Sequence, residues 1–454
     1  MRKLALLLSC LELAGLAAAQ PTSLQGDRKV QGTTIIKAIV IDEKAEAERE
    51  ELKKMNEAGH KISARMGEAR KGGPLAELAA LQALEAEYTG NESALSYIRN
   101  TVAQLLLPRM GDYAGAHRYA DLLDPQASAL ANSLEDPSAL AGHAPVNAMN
   151  AIVEAAKTRQ VVMINEAHHV PQHRAFTLEL LGELKKQGFT YFAAETFSQD
   201  PDLANRGYPT GKTGAYIQEP LYGDLVRTAL RLGYKIIPYE TEDPNSGPEG
   251  RERDQARHLQ ERIFARDPKA KVLVHAGYGH IAEIPGSRTM MAAVFKEMTG
   301  IDPLTINQER MTEHSAPEFE SPVYRWATER GLVNEPVIFR DAAGTPWSRT
   351  KAYDMVVFHP RSRYENGRPH WLRMGGLRSP YPLLAGICGQ APRCLVKARP
   401  VKEGEDAIPI DQILVETGKP VPALMLPAGE FVIRVEDAAR KVILEFPAAL
   451  DSAK

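Results

Sequence analysis

From Pro145 to Pro360, short runs of β-branched and apolar residues alternate with amphipathic stretches of about ten to fifteen residues. The runs predict strands at Val161 to Asn165, Tyr191 to Glu195, Lys235 to Tyr239, Lys271 to Ala276, Leu304 to Gln308 and Asp354 to His359. The stretches between them predict helices near Gln172 to Gln187, Leu221 to Leu232, Arg251 to Ala265 and Thr289 to Met298. Parallel neighbours in a sheet need a crossover long enough to hold a helix. Strand and helix in turn therefore predict an α/β fold, a mostly parallel sheet flanked by helices.

The patterning differs on either side of this region. Asp42 to Gly72 is dense in Glu, Lys and Ala, with scattered Leu52, Met55, Ile62 and Met66, and predicts a solvated peripheral helix. Beyond Gly72-Gly73-Pro74, apolar residues recur three and four apart (Leu78, Leu81, Leu84, then Ile98, Val102, Leu105), which predicts two or three packed helices as far as Leu123. Met110 to Ala116 has the form of a helical-repeat turn, but no second copy follows at a fixed period. After His359 the chain turns rich in Pro, Gly and Arg. The runs Ile408 to Val415 and Glu430 to Val435, separated by turn residues, then predict a small β-rich domain. The expected organisation is a helical prefix over 20–144, an α/β domain over 145–365 and a β-rich C-terminal domain over 366–454. At about 150 residues per domain, a 454-residue chain suits two or three such units.

Composition narrows the partners. A hydrophobic fraction of 44% supports a sizeable core, and 55 Lys and Arg against 58 Asp and Glu leave a formal net charge of -3. Such a balance provides no strong field toward nucleic acid or an anionic membrane. The first residues read as a secretory signal: Arg2 and Lys3, an apolar stretch from Leu4, and small residues Ala17-Ala18-Ala19 for cleavage before Gln20. The apolar run before Cys10 is too short for a lipoprotein site. Residues 1–19 are thus expected to leave an exported chain, periplasmic or secreted, with no transmembrane segment. Cys388 and Cys394 then remain, bracketing a short loop. In an oxidising compartment this even pair is expected to form a disulfide; the alternative is a pair of reduced thiols.

Ligands in open α/β sheets bind beyond the carboxyl ends of the strands, and here those ends are polar. The first strand runs into Asn165-Glu166-Ala167-His168-His169, the second ends in Glu195-Thr196, the third in Tyr239-Glu240 and the fourth in Ala276-Gly277-Tyr278-Gly279-His280. Asn165-Glu166-Ala167-His168, the nearby His173-Arg174, Glu195, Arg253-Asp254 at a later helix start and Gly277-Tyr278-Gly279-His280 together resemble the erythromycin-esterase/ChaN-like superfamily, to which Tiki-type proteases are related. The resemblance spans Pro145 to Pro360. Asn165 stands where the family usually has Gly; among non-glycine residues Asn tolerates a positive φ well, so a bend there is compatible with it. The resemblance implies an α/β fold with a small-molecule or peptide site, and relatives that include esterases, metal-dependent proteases and a haem-binding lipoprotein.

Chemically, a histidine held by a carboxylate can take a proton from water while a second His or Arg stabilises the oxyanion. His168 is the expected base, Glu166 or Glu195 its orienting partner, and His280 the second electrophilic residue. Alternatively His168, Glu195 and His280 supply three ligands to a divalent metal with one position open to water. His169 and His173, four apart, are expected at a pocket mouth or as axial ligands to haem iron. Arg174 is expected to pair with a substrate carboxylate or with Glu195 or Glu240, while Glu240 and Tyr278 join the substrate-binding set. His275, inside an apolar run, reads as a buried, hydrogen-bonded residue. Tyr353 to Trp371, with His359, Arg361, Arg363 and His370, fits a pocket or a seam between domains.

Competing motifs fall away on context. Gly207 to Thr213 lacks one residue of a phosphate loop, and Gly277-x-Gly279-x-x-Ala282 is followed by Pro285-Gly286, which stops the helix a dinucleotide would need. Neither Gly-x-Ser-x-Gly nor His-Glu-x-x-His occurs. Three functions remain: an exported ester or amide hydrolase, a non-catalytic haem or iron binder, and a scaffold whose pocket is filled by Tyr278 or by the helical prefix. The substrate and the oligomeric state are not legible.

Overall fold

The computed structural model describes residues 50–451 apart from 51–52, 54–56, 88–92, 124–131, 133–134, 244, 285 and 287. The expected signal peptide, Cys10, and residues 20–49, Leu52 and Met55 of the prefix lie outside the described residues.

Six strands form the central sheet. They are β2 (Val161–Glu166), β3 (Tyr191–Ala194), β4 (Lys235–Pro238), β5 (Val272–Gly277), β6 (Leu304–Asn307) and β8 (Met355–Val356), in the order β4-β3-β5-β2-β6-β8 with every pair parallel. The α/β fold read from the sequence is the fold observed. Helices α5 (Pro171–Lys186), α6 (Pro220–Arg231), α7 (Gly247–Leu259) and α8 (Met291–Thr299) make the crossovers. Strands β2 and β5 are buried at every position, as expected of a parallel sheet covered on both faces. Their side chains alternate between two cores. Val162, Ile164 and Leu273 pack on one face with Phe192 and Ala194, and Val161, Met163, Val272 and Val274 pack on the other with Tyr191 and Ala193.

The expected strands differ from the observed ones mostly by one residue at an end. The exception is the run from Asp354, which pairs with β6 only through β8 and then leaves the sheet. Phe358 forms a bridge to Val337 instead. There it meets an antiparallel pair, β1 (Ala144–Asn147) with β7 (Val337–Arg340), that the sequence pattern did not predict because four residues containing Pro145 carry no clear period.

Before the sheet lie α1 (Pro74–Glu87), α2 (Ser93–Leu106) and α3 (Tyr113–Asp121), with α4 (Ala148–Ala156) following β1. Between α2 and α3, Gly111 adopts φ 78° and Asp112 caps α3 by accepting from the Gly115 amide at 2.8 Å. The peripheral helix is less solvated than its composition suggests: over 57–71 it buries Ile62 and Met66 against Leu84. Among the described residues, no helix is long and apolar enough to cross a membrane.

The C-terminal region is β-rich, as expected. A small hairpin, β9 (Tyr364–Glu365) with β10 (Arg368–Pro369), precedes a 3-10 segment at His370–Gly376 that packs Leu372 and Met374 into the sheet core. Then β11 (Ser379–Tyr381) pairs with β14 (Leu424–Leu426). A four-stranded antiparallel sheet follows, in the order β13 (Asp411–Glu416), β12 (Arg393–Pro400), β15 (Gly429–Glu436) and β16 (Val442–Leu450). Cys388 and Cys394 are joined at an S–S distance of 2.08 Å within the core of this region.

Candidate active site

The order β3-β5-β2 sets three polar strand ends side by side, and the register places Glu166 opposite Gly277. Glu166 is the hub. Its Oε1 accepts from His168 Nδ1 at 2.8 Å and from Arg174 Nη2 at 2.7 Å; its Oε2 accepts from Arg174 Nε at 2.7 Å and His275 Nε2 at 2.8 Å. Burial works against its charge, but Arg174 and His275 outweigh burial and hold the carboxyl well below the usual range. Arg174 also donates to Glu219 at 3.0 Å and to the His168 carbonyl at 2.8 Å, and it lies over the Tyr222 ring. Its expected partners, Glu195 and Glu240, are not the observed ones. Arg174 points from α5 toward β2 and the start of α6, where Glu219 also caps the helix through the Leu221 and Tyr222 amides.

With Nδ1 donating to Glu166, the other ring nitrogen of His168 carries a lone pair. The ring stacks on Tyr216 at a centroid distance of 4.1 Å and meets Tyr278 edge-on at 4.9 Å. Gly277 makes room for it: a Cβ there would lie 2.6 Å from His168 Nε2 and 2.8 Å from Glu195 Oε2. Those two atoms therefore face the same small space above the glycine. Tyr278 follows with φ 44°, a left-handed backbone rare for a bulky side chain, and the Asn165 amide holds its carbonyl at 2.7 Å. Asn165 itself lies in β2 and also accepts from the Gln308 amide at 2.8 Å. It needs no glycine-like bend, and its side chain ties three strand ends together.

The second half of the site surrounds Glu195. Its Oε2 accepts from the Gly277 amide and its Oε1 from Arg251 Nη2 at 2.6 Å, with His280 Nε2 at 3.5 Å. Burial opposes its ionisation; His280 and Arg251 overcome that and keep it well below the usual carboxylate range. Arg251 also binds Glu240 through Nε at 2.9 Å and Nη2 at 2.6 Å. His280 Nδ1 donates to Glu252 at 2.8 Å. Burial works against a charge on His280, and the Glu195 and Glu252 carboxylates push it up to about 9. The Arg251 guanidinium opposes them, because Nη1 lies 2.9 Å from Nε2 and donates to it only when that nitrogen is bare. The ring keeps its proton on Nδ1 for as long as Arg251 holds this contact.

A metal does not fit the trio His168, Glu195 and His280 as placed. The cation between Glu195 and His280 is Arg251, both Glu195 oxygens accept from N–H groups, and both His280 nitrogens are engaged. Among the described residues, no three His, Cys, Asp or Glu side chains are grouped to hold a metal ion. Haem ligation by His173 does not fit either. That ring is fully buried, and its Nδ1 accepts from the Ala167 amide at 3.1 Å, which fixes the turn leading to His168. His169 is also buried, edge-on to His117 of α3 at 5.5 Å. Neither His169 nor His173 lies at an exposed pocket mouth, since Pro171 starts α5 beneath the sheet edge rather than at the surface. His275 is the buried, bonded residue expected.

His168 opens onto a cavity of about 460 Å³. Thr101, Leu105 and Arg109 of the prefix wall one side; Ser198, Gly214 and Tyr216, from the loop after β3, wall the other. Neither Tyr278 nor the prefix plugs it. Arg251, Glu252, Glu219 and Tyr216 were missed from the sequence. Arg251 and Gln255 both reach Glu240 from one face of α7, a spacing of four that could have singled out Arg251 over the expected Arg253. Tyr216 sits in a loop and left no such signal.

No family model and no curated protein matches the chain. Two solved structures are similar to part of it. One, described as bacterial protein toxins, is 16% identical over 54% of this chain and 57% of that one, with a TM-score of 0.28. The other is RRSP, a MARTX toxin effector domain from Vibrio vulnificus, 13% identical over 51% of this chain and 58% of that one, with a TM-score of 0.24. The chain thus spans less than two thirds of either structure, and likeness at this level carries no functional argument.

Proposed function

We propose that the chain is an exported hydrolase, periplasmic or secreted, that cleaves an ester or amide in a small-molecule or peptide substrate with water activated at His168. Kinship with the erythromycin-esterase/ChaN-like superfamily, on the strand-end motifs, is part of this reading. The observation that carries it is the Glu166–His168 pair: Nδ1 is held at 2.8 Å by a buried carboxylate, and the residue opens onto a cavity.

In this mechanism, Nε2 takes a proton from water as the water oxygen bonds to the substrate carbonyl carbon. The Glu195 carboxylate, facing the same space, accepts the water's other hydrogen and orients it. The second N–H of Arg251 Nη1 stabilises the oxyanion, and His280, accepting the first, holds the guanidinium in place. When the intermediate collapses, the bond to the leaving oxygen or nitrogen breaks and Nε2–H returns its proton to that atom. Glu166 fixes the tautomer throughout, and Arg174 and His275 keep Glu166 charged.

His168→Ala should lower turnover of p-nitrophenyl esters or peptide amides by about a hundredfold or more while the protein still folds. The lost ring packing and the bond to Glu166 lower the unfolding midpoint without unfolding the chain. Full retained activity in steady-state assays would overturn the assignment. Gly277→Ala should have a comparable effect, about a hundredfold on kcat, because its Cβ occupies the space shared by His168 Nε2 and Glu195 Oε2. Wild-type kinetics in that variant would show that the two groups do not act at this spot.

A further inference from the structure

A second cavity, of about 420 Å³, lies on the other side of α5 from Arg174. Gln172, Ala175, Phe176 and Glu179 line it, and these positions share one helical face. Trp371 and Met374 of the 3-10 segment and Met149 of α4 close it. It falls within the stretch from Tyr353 to Trp371 and just beyond, whose clustered His, Arg and Trp the hydrolase reading leaves without a role.

Most of its donors are engaged elsewhere: Gln172 Nε2 on the Pro360 carbonyl, Asn147 Nδ2 on Glu335, Asn334 Nδ2 on the Gly331 carbonyl and Trp371 Nε1 on Ser362 Oγ. Glu179 sits half-buried among these apolar walls with no cation within 4 Å among the described residues. Burial pushes its carboxyl upward. His359, fully buried in the cavity wall, donates Nε2–H to Gln308 Oε1 at 3.0 Å, which leaves Nδ1 as a bare acceptor with no partner. Glu335 stands at the rim. The cation lining the cavity, Arg373, is already bound to Glu365 at 2.7 Å. The wall facing Glu179 is held in an unusual form: Met374, Gly375 and Gly376 have φ of 43°, 62° and 99°. A Cβ on Gly375 would stand 3.5 Å from the Glu179 carboxylate. The two glycines adopt this backbone freely, and only Met374 is strained by it.

We propose that this cavity is a binding site for a small organic cation, an ammonium group on an aromatic or aliphatic body. Glu179 pairs with the ammonium, and Phe176, Trp371, Met149 and Met374 enclose the body. A desolvated ammonium beside Trp371 also gains from the ring's negative face. An anion of the same shape meets the Glu179 and Glu335 carboxylates, so charge sign is the discriminating property.

The test is calorimetric titration of the full chain with 2-phenylethylammonium and, separately, with 3-phenylpropionate, at pH 7.5 and fixed salt. The cation should saturate one site with a dissociation constant of about 1 mM or tighter, and the anion should not bind. Glu179→Gln should weaken the cation about tenfold or more, and Met149→Trp should abolish binding by filling the cavity from the opposite wall. Equal binding of the two probes, no saturation by the cation, or unchanged affinity in Glu179→Gln would each overturn the proposal. The comparison of cation with anion in the wild type decides even if a variant fails to fold.

Discussion

Glu166→Ala should destabilise the protein by about 3–5 kcal/mol, the range for removing one partner of a buried ion pair. The substitution strips hydrogen bonds from His168, Arg174 and His275 at once. The decisive loss is on Arg174. Its side chain is 1% exposed, and without Glu166 its charge retains Glu219, one backbone carbonyl and the face of Tyr222. Because a guanidinium cannot shed its proton, that charge stays buried and poorly matched. Urea unfolding at pH 7 measures the effect, and a loss under about 1 kcal/mol would show that water reaches Arg174. A second variant isolates the cause. Glu166→Ala with Arg174→Met should recover part of the loss, because replacing both charges removes the mismatch rather than creating it. Both variants lose turnover, and Glu166→Ala loses far more stability than His168→Ala; the contrast separates the group that holds the site together from the group that moves the proton.

Between pH 7 and pH 5 the stability should fall steeply, by up to about 5 kcal/mol per pH unit in the lower part of that range. Four desolvated histidines cause it. Burial pushes His169 and His173 well below their ordinary value, His117 to about 4 and His359 to about 3. Hydrogen bonding agrees with neutrality. His173 Nδ1 must keep its lone pair to accept from Ala167, and a proton on His359 Nδ1 would find no acceptor among the described residues. For a group whose folded pKa is depressed, the stabilising contribution is fully present above the unfolded pKa, here about 6.5. It is lost as the pH falls toward the folded value, because only the unfolded chain takes up the proton. Each such group contributes about 1.4 kcal/mol per pH unit across that window, and four act together; His280, held up near 9, opposes them only near and above about pH 6.5. Glu166 and Glu195, held below their ordinary values, add losses of the same sign only under about pH 4.5. Denaturant unfolding at pH 7, 6 and 5 tests this; a flat profile would mean the four rings are protonated in the folded protein. His359→Gln should reduce the slope by about one proton's share.

The period of apolar residues determined the strands, the crossover helices and the α/β class. A strand buried on both faces must be apolar throughout, and the helix returning to a parallel neighbour must show one apolar stripe. The same pattern marked where each strand ended, so Glu166, His168, Glu195, Gly277 and His280 were placed at one edge before any coordinates. What it could not decide was pairing. Arg174 was expected beside Glu195 or Glu240 and lies on Glu166 and Glu219; Arg251, not the neighbouring Arg253, reaches Glu195 and Glu240. A buried charge takes the partner that the packing of distant elements brings within 3 Å, and sequence separation does not limit that distance. His169 and His173 show the same division. Their spacing put them on a helix start, but only the packing of α5 against the sheet edge and of α3 against His169 took both out of water and gave His173 the turn to hold.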